Sequence, residues 1–509
     1  MRRTWSELLW GVHAKWSYLL LATIAMLFTF LGAREIWTQE HRWADIVSAM
    51  FYYRDFFHPS LNGNDYYDKP LLSYWFIAFA VVLLGKFSAF ALRLPSAFAG
   101  LLAVWSIYSL GTHLKDRRLG LLAGWMLLTT FYFIFWARTS SADMLNLAGT
   151  LFAVAWYWRT KAQPRFFDYV VFFLILAVTA LCKGLIGPVV AVMVILLDLL
   201  LQNTWKKHVR FSVLLACIPA AILYFLPFFA SMQSGMTHYH ENGLMLVYRE
   251  NILRYFQPFD HQGPLYTYLI FLPVYLFPWT LLFIPALFSL RSRWRTMSAD
   301  SKWLVWVVLV LFLFFTLSGS RRNYYVLPIV PFAILMTADW ILATVQSIPL
   351  DIWPGRMAVI SFVLFFVVFD VVQPLYYAGG GMSHFAMNLK QETQHIRPWT
   401  QWNFVMLDPE SKVRFYLALP PTVKSYTLHE GKRDQQTATK LLNAWPFLRE
   451  ANAQTNTIFI SRQQYAAELR DILKNYTVVF AKPGWGEQFR KNNLDLPIAF
   501  VPKKTEKLG

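Results

Sequence analysis

Between Trp16 and Tyr377 the chain is a succession of apolar runs, most of them near the length of a membrane crossing, joined by short polar loops. A crossing needs about 20 mostly apolar residues. The bilayer interior offers the backbone no hydrogen-bond partner, so such runs must be helical. Only 15% of the 509 residues are charged, against roughly 25% in soluble domains. The charges are sparse up to residue 377 and frequent beyond it. The chain therefore reads as an α-helical polytopic membrane domain over 1–377, followed by a soluble domain over 378–509.

The net charge of +18 would suggest nucleic acid in a soluble protein. Here Lys and Arg gather in short loops between apolar runs, as cytoplasmic loops do, so no nucleic-acid partner is expected. Cys182 and Cys217 both lie inside apolar runs and form neither a disulfide framework nor a zinc pattern. Arg2, Arg3 and Lys15 precede the first run, 16–33, which has no cleavage site after it; an uncleaved span with a cytoplasmic N-terminus is expected.

Further spans are expected near 91–111, 119–137, 144–158, 169–182, 184–202, 211–230, 265–287, 303–317, 324–345 and 357–377, for about 11 to 13 transmembrane helices. The run 71–85 is too short to span. Counting it as a crossing would put the basic loop 113–118 outside, so it is expected as an interfacial helix beside an outer loop, 34–70. The basic loops 159–165, 206–210 and 291–302 then all face inward, and the soluble domain lies outside.

That domain is expected to be a small α/β fold. Thr457–Ser461, Thr477–Ala481 and Ile498–Val501 read as strands, and Ser461 could cap a helix running to Lys474. Gly379–Gly381 reads as a hinge. From residue 378 the domain carries 18 basic against 11 acidic residues, a difference of +7, which suits either solubility or an anionic membrane surface.

Charges that defy the positive-inside pattern are the informative ones. The first outer loop mixes Glu40, Arg42, Asp68 and Lys69 with tryptophans and tyrosines; Lys69 can anchor at the interface or meet a lipid phosphate. Asp143 sits at the outer mouth of two spans, as a helix cap or an active-site acid. Lys183, in an apolar run, can snorkel outward or pair with an anion. Arg254 lies in the outer loop 231–264, and Arg321 and Arg322 fall in a short outer loop where cations are not expected. Together with Lys69, these arginines would make a phosphate-binding rim if their loops converge. No Walker A, CxxC or HExxH motif occurs, which argues against an ATP-driven pump.

Several segments in order carry a resemblance. They are the stretch from Trp37 to Ile46, Tyr67-Asp-Lys-Pro-Leu-Leu-Ser-Tyr-Trp, Ala91-Leu-Arg-Leu-Pro-Ser-Ala, Ala137-Arg-Thr with Asp143, Cys182-Lys-Gly, Asp260-His-Gln-Gly-Pro and Ser320-Arg-Arg-Asn-Tyr-Tyr-Val-Leu-Pro. In order and spacing the chain resembles the polyprenyl-phosphate-dependent glycosyltransferases, the group of lipid A aminoarabinose transferases and protein mannosyltransferases. The resemblance implies a GT-C fold and an inner-membrane enzyme acting on the periplasmic side. Such an enzyme moves a sugar from a carrier such as undecaprenyl phosphate to a lipid or protein acceptor. It implies catalytic roles for Glu40, Asp68 and Asp143. It implies donor-phosphate contacts for Lys69, Tyr325 and the cations Arg42, Lys183, Arg254, Arg321 and Arg322. It also allows a divalent metal ion at Asp68 and His261. The family's first-loop Asp-Glu pair is Gln39-Glu40 here.

Physical chemistry points the same way. Breaking a glycosyl–phosphate bond needs preorganised cations on the leaving group, and a hydroxyl acceptor needs a general base such as Glu40 or Asp143. An acceptor phosphate, as on lipid A, is already ionised and needs less help. The expected function is transfer from a polyprenyl-phosphate sugar to lipid A or another envelope glycolipid among membrane lipids. The alternatives are a protein O-glycosyltransferase and, from another class, a secondary transporter or flippase.

Overall fold

The computed structural model describes residues 4–37, 39–66, 69–208, 210–233, 248–257, 262–344, 352–428, 438–489 and 493–503. They form two compact units. One comprises Met1–Leu31, Phe56–Pro59 and Asp65–Val368; the other Gly32–Asp55, Ser60–Asn64 and Phe369–Gly509. The outer-loop helix Glu40–Tyr53 thus belongs with the C-terminal residues.

The first unit is helical. Among the described residues of the chain, six helices are long and apolar enough to cross a membrane, or seven if one bent pair counts as a span; Ala89–Leu114, Phe166–Lys183, Ala299–Leu317 and Asn323–Thr344 lie in this unit. The expected span 119–137 is that pair: Arg117–Leu128 and Phe131–Ala137 meet at 71°. Thr129 and Thr130 turn their hydroxyls back onto the carbonyls of Trp125 and Met126 at 2.6 and 2.8 Å, which satisfies the helix end where the chain turns. The expected span 265–287 is likewise divided, into Thr267–Tyr275 and Thr280–Arg293. Helix Leu72–Leu84, stopped by Gly85 in the left-handed conformation, has 13 residues. At 1.5 Å per residue that is about 20 Å, short of a hydrocarbon core of about 30 Å.

Close helix packing sets up the site. Helix Ala142–Thr160 starts at Ser141, whose hydroxyl accepts the Asp143 N–H at 3.2 Å. A Cβ at Gly149 would lie 2.1 Å from Thr179 Oγ1, and one at Gly187 would lie 2.4 Å from Asn146 Oδ1. Small residues therefore let Ala142–Thr160, Phe166–Lys183 and Ile186–Leu201 approach at backbone distance. Gly184, at φ +112°, turns the chain between the last two and leaves Lys183 as the final residue of its helix.

In the second unit a five-stranded sheet runs in the order Lys424–Tyr426, Asn403–Leu407, Thr457–Arg462, Pro497–Pro502, Tyr476–Phe480. The first three strands are parallel, and Pro497–Pro502 is antiparallel to both its neighbours. The three expected strands are present, and Asn403–Leu407 and Lys424–Tyr426 are additional. Ser461 does not cap a helix. It lies in the strand and donates to Leu407 O at 2.7 Å, and the α-helix that follows is Ala466–Ile472.

The outer-loop segment is held by ionisable contacts. Glu35 accepts the Met382 N–H and faces Lys412 at 3.8 Å, and Tyr416 Oη accepts the Ile36 N–H at 2.8 Å. Burial pushes the Glu35 carboxyl up to about 7, against the pull of Lys412 and the Met382 N–H, with Glu487 and Glu410 adding to the rise. Burial also pushes Asp45 up to about 7, opposed by Arg414.

Candidate active site

The charged centre of the first unit is the ion pair between Asp143 and Lys183. Asp143 lies in the first turn of Ala142–Thr160, where the helix dipole favours a carboxylate, and Lys183 ends Phe166–Lys183, where it favours a cation. Their side chains keep 15% and 18% of their exposure, so the pair is sheltered but reachable. Lys183 Nζ lies 5.5 Å from the centre of the Tyr325 ring, within cation–π range.

Tyr325 and Tyr324 come from the 3₁₀ turn Asn323–Ile329, their rings 5.0 Å apart at 86°. Tyr324 packs on Trp136 at 5.0 Å, and its hydroxyl accepts from Arg322 at 2.8 Å. Asp143, Lys183, Arg322, Tyr324 and Tyr325, from three separated stretches of sequence, thus form one cluster.

Two further segments close around it. The Asn251 side chain accepts the Leu185 N–H at 2.8 Å, joining the segment 249–256 to the turn after Lys183. On that segment Glu250 takes Arg254 at 2.6 Å, one helical turn away. Arg321 grips backbone, donating to Thr316 O at 3.0 Å and Gly263 O at 2.6 Å, beside a bridge between Gln262 and Ser320. Lys69 is half-buried two residues before the end of the loop leading into Leu72–Leu84.

The remaining sequence candidates fall elsewhere. Glu40 is completely buried in the second unit, at the start of Glu40–Tyr53. One of its oxygens accepts the Trp37 N–H at 2.6 Å and faces Arg34 at 3.4 Å, so this carboxylate closes a turn. Arg42 follows on the same helix, half-buried. Asp68 and His261, with the metal expected there, lie outside the described residues. Among the described residues no group of three or more His, Cys, Asp or Glu could hold a metal ion.

The sequence reading missed the roles of Asn251 and Tyr324, as well as the work of two buried arginines. Arg93 donates to Leu31 O at 2.9 Å, and Arg138 donates to Met26 O and to Thr29 O at 2.9 Å. They hold carbonyls at the end of helix Trp16–Phe28 and just beyond it. A charged residue inside an apolar run was the available signal for Arg93.

An apolar groove of about 530 Å³ runs beside the cluster, between Leu72–Leu84, Ala89–Leu114, Ala142–Thr160 and Phe166–Lys183. Its lining includes Phe79, Leu83, Phe98 and Phe152. It also includes Leu145, two residues from Asp143, and Cys182, next to Lys183. Two of the helices that line the groove thus also carry the ion pair, within two residues of its lining.

Residues 68–230 match the family model described as dolichyl-phosphate-mannose-protein mannosyltransferase. The undecaprenyl phosphate-alpha-4-amino-4-deoxy-L-arabinose arabinosyl transferase of Pseudomonas aeruginosa (strain UCBPP-PA14) is 28% identical over 334 residues, 63% of this chain and 58% of that one. The enzyme of the same name from Shewanella sediminis is 25% identical over 398 residues, 74% of this chain and 68% of that one. The chain thus spans only 58% of the length of the Pseudomonas relative. Among solved structures, ArnT from Cupriavidus metallidurans bound to undecaprenyl phosphate superposes with a TM-score of 0.68 at 14% identity, covering 96% of this chain and 98% of that one. The Archaeoglobus fulgidus oligosaccharyltransferase gives 0.53 at 10% identity, covering 96% and 76%. The chain has the GT-C glycosyltransferase fold. Within that class its sequence likeness runs to the polyprenyl-phosphate-dependent enzymes, the group its motifs resemble.

Proposed function

We propose that the protein is a glycosyltransferase that moves a sugar, most simply an aminopentose, from undecaprenyl phosphate to lipid A or another envelope glycolipid. The observation that carries this is the Asp143–Lys183 pair, set on two of the helices that line the apolar groove. A polyprenyl phosphate is an anion on a long apolar chain and has the two halves of this site. The names of the relatives support the choice of donor and acceptor.

In the proposed reaction, an acceptor oxygen attacks the anomeric carbon and forms the new glycosidic bond. The bond from that carbon to the donor phosphate oxygen breaks, and the polyprenyl phosphate leaves with the electron pair. Lys183 turns from Asp143 to the incoming phosphate and stabilises the charge that grows on it. The exchange frees Asp143 to take the proton of a hydroxyl acceptor, whereas an acceptor phosphate oxygen needs no such base. Tyr325 beside Lys183, and Arg322 on the neighbouring Tyr324, complete the phosphate contacts, with Arg254, Arg321 and Lys69 from the flanking segments. Glu40 acts by holding its turn. A divalent ion at Asp68 and His261 would add positive charge at the leaving phosphate, and loss of turnover on chelation would reveal it.

The basic loops support an orientation in a bacterial inner membrane with the N-terminus on the cytoplasmic side and the sheet on the periplasmic side. The test is the purified full-length chain in proteoliposomes with labelled undecaprenyl-phosphate aminopentose and lipid A. Lipid A gaining the mass of one sugar supports the proposal; an intact donor and unmodified lipid A overturn it. The mannosyltransferase family model favours a protein acceptor as the second reading, and a Ser/Thr peptide labelled in place of lipid A would establish it.

A further inference from the structure

The last apolar run ends at Tyr376-Tyr377, and the chain then passes through Ala378 and three glycines. At that point it is met by a loop from the far end of the sequence. Trp485 N–H donates to Ala378 O at 2.9 Å, Gly486 N–H to Tyr376 O at 2.8 Å, and Gly381 N–H to Lys482 O at 2.9 Å. The contact is too close for side chains. A Cβ at Gly486 would lie 2.0 Å from the Tyr376 ring, one at Gly484 would lie 2.7 Å from Tyr377 Cα, and one at Gly380 would lie 2.4 Å from Pro483. The glycines expected as a hinge are partly built into this seam.

The seam holds two aromatic rings outward. Trp485 is 60% exposed and Phe489 76%, the most exposed large hydrophobic side chains among the described residues after 380. Their rings meet edge to face at 5.7 Å. Beside them the end of the apolar run exposes Val371, Val372 and Leu375, and Lys482 of the same loop is exposed.

We propose that the loop 482–489 docks into the membrane surface, with Trp485 and Phe489 entering the headgroup region of the leaflet in which the last apolar helix ends. The occupant follows from continuity. The loop is hydrogen-bonded to residues 376–381, where the apolar run leaves the hydrocarbon, so its exposed rings lie at headgroup depth. Tryptophan is enriched at that depth, where its ring is apolar and its N–H can stay wet. A neighbouring lysine suits anionic headgroups. The glycines fix the loop to the end of the span, so the soluble sheet is attached to the bilayer at a second point besides the chain itself.

The experiment uses the full-length chain with Cys182→Ala and Cys217→Ala, carrying single cysteines at Trp485, at Phe489 or, as control, at Lys424 on an exposed edge strand. Each is labelled with an environment-sensitive fluorophore in nanodiscs of phosphatidylcholine and phosphatidylglycerol. Labels at 485 and 489 are expected to emit at shorter wavelength than the control, to be quenched by a doxyl group carried near the lipid headgroup, and to resist aqueous iodide. Iodide access equal to that at Lys424 overturns the proposal. So does protection from iodide without quenching by lipid-borne doxyl, since a second copy or a protein partner would then cover the rings. If Trp485→Cys does not yield folded protein, Phe489→Cys decides alone, because that side chain packs on little besides Trp485.

Discussion

Helix Ala142–Thr160 carries one ion-pair site near each end, and the two are built to opposite rules. At its start, Asp143 faces one side-chain partner among the described residues, Lys183. Near its other end, about 21 Å away at 1.5 Å per residue, Tyr157 donates to Asp198 at 2.7 Å. Asp198 is 1% exposed and also takes Lys161 on both oxygens at 3.1 and 3.0 Å, and Gln202 at 2.8 Å. Lys161 lies 3.8 Å over the Trp158 ring, which packs 4.2 Å from Trp303. A buried carboxylate with four donor contacts has no reason to change partners. A sheltered lysine with one carboxylate partner can instead exchange it for an incoming phosphate and stay paired, while the carboxylate it leaves keeps enough exposure to take up a proton. Acceptor saturation, more than burial, separates the two pairs.

The largest expected effect tests the reactive end. Asp143→Asn or Lys183→Met should lower transfer by about 10²–10⁴-fold, the range spanned by losing a proton acceptor or a preorganised charge, while the thermal midpoint moves little. If the acceptor is a phosphate, Lys183→Met should lose far more activity than Asp143→Asn. Turnover in proteoliposomes measures both, and equal losses would point to a hydroxyl acceptor.

At the saturated end the loss should be of stability. Lys161→Ala leaves Asp198 buried with neutral donors only. Stranding one member of a buried pair costs about 3–5 kcal/mol, and Lys161 keeps some exposure, which places the expected loss at the lower end. A scan of thermal unfolding in detergent reads it. Activity per folded molecule should stay near that of the parent; a loss comparable to that of Lys183→Met would erase the distinction between the two ends.

This contrast shows what the sequence could convey. Asp143 and Lys183 were legible because an ionisable residue at a span mouth or inside an apolar run needs a reason. Their pairing was not, because it depends on Gly149, Gly187 and Gly184 bringing three helices to backbone distance. Arg254 and Arg321 were legible as cations, but a sequence displays charges without their partners, here Glu250 one turn away and the carbonyls of Thr316 and Gly263. The helices were legible from apolar run length, but the break at Thr129–Thr130 was not, since threonine is common in apolar runs. Three of the five strands were recovered; Lys424–Tyr426 was missed because it has only three residues at an edge, and the apolar Asn403–Leu407 was missed as well.

The second unit adds a third kind of carboxylate, buried and only partly compensated. Glu35 titrates near 7 in the fold against an ordinary 4.5 because burial outweighs Lys412. The folded form therefore holds this proton more tightly than the unfolded chain. The resulting stability is complete below about 4.5 and is lost as pH rises through about 7. Amide exchange in the segment 32–55 should quicken as pH is raised from 5 to 8, beyond the intrinsic change in exchange rate. Glu35→Gln should flatten that part of the dependence, leaving a remainder from Asp45, which shifts in the same direction.

The smallest effect concerns how firmly the reactive carboxylate is placed. Ser141 accepts the Asp143 N–H at 3.2 Å, and its backbone meets Ser96 Oγ at 3.4 Å through both N–H and carbonyl. Ser141→Ala removes the cap and keeps the backbone contacts, a change worth about 1 kcal/mol at a helix N-terminus. The helix is packed along most of its length, so the loss should appear as fraying of the first turn, where Asp143 sits. Transfer should fall a few-fold, with the loss in kcat exceeding any rise in KM, because the turn positions a group used after the donor binds. Ser141→Asp, which can cap as well, should restore the helix end but place a second carboxylate beside Lys183. If that variant recovers stability without activity, Lys183 must be able to leave its carboxylate for the reaction to proceed, and the exchange of partners that separates the two ends of this helix would gain direct support.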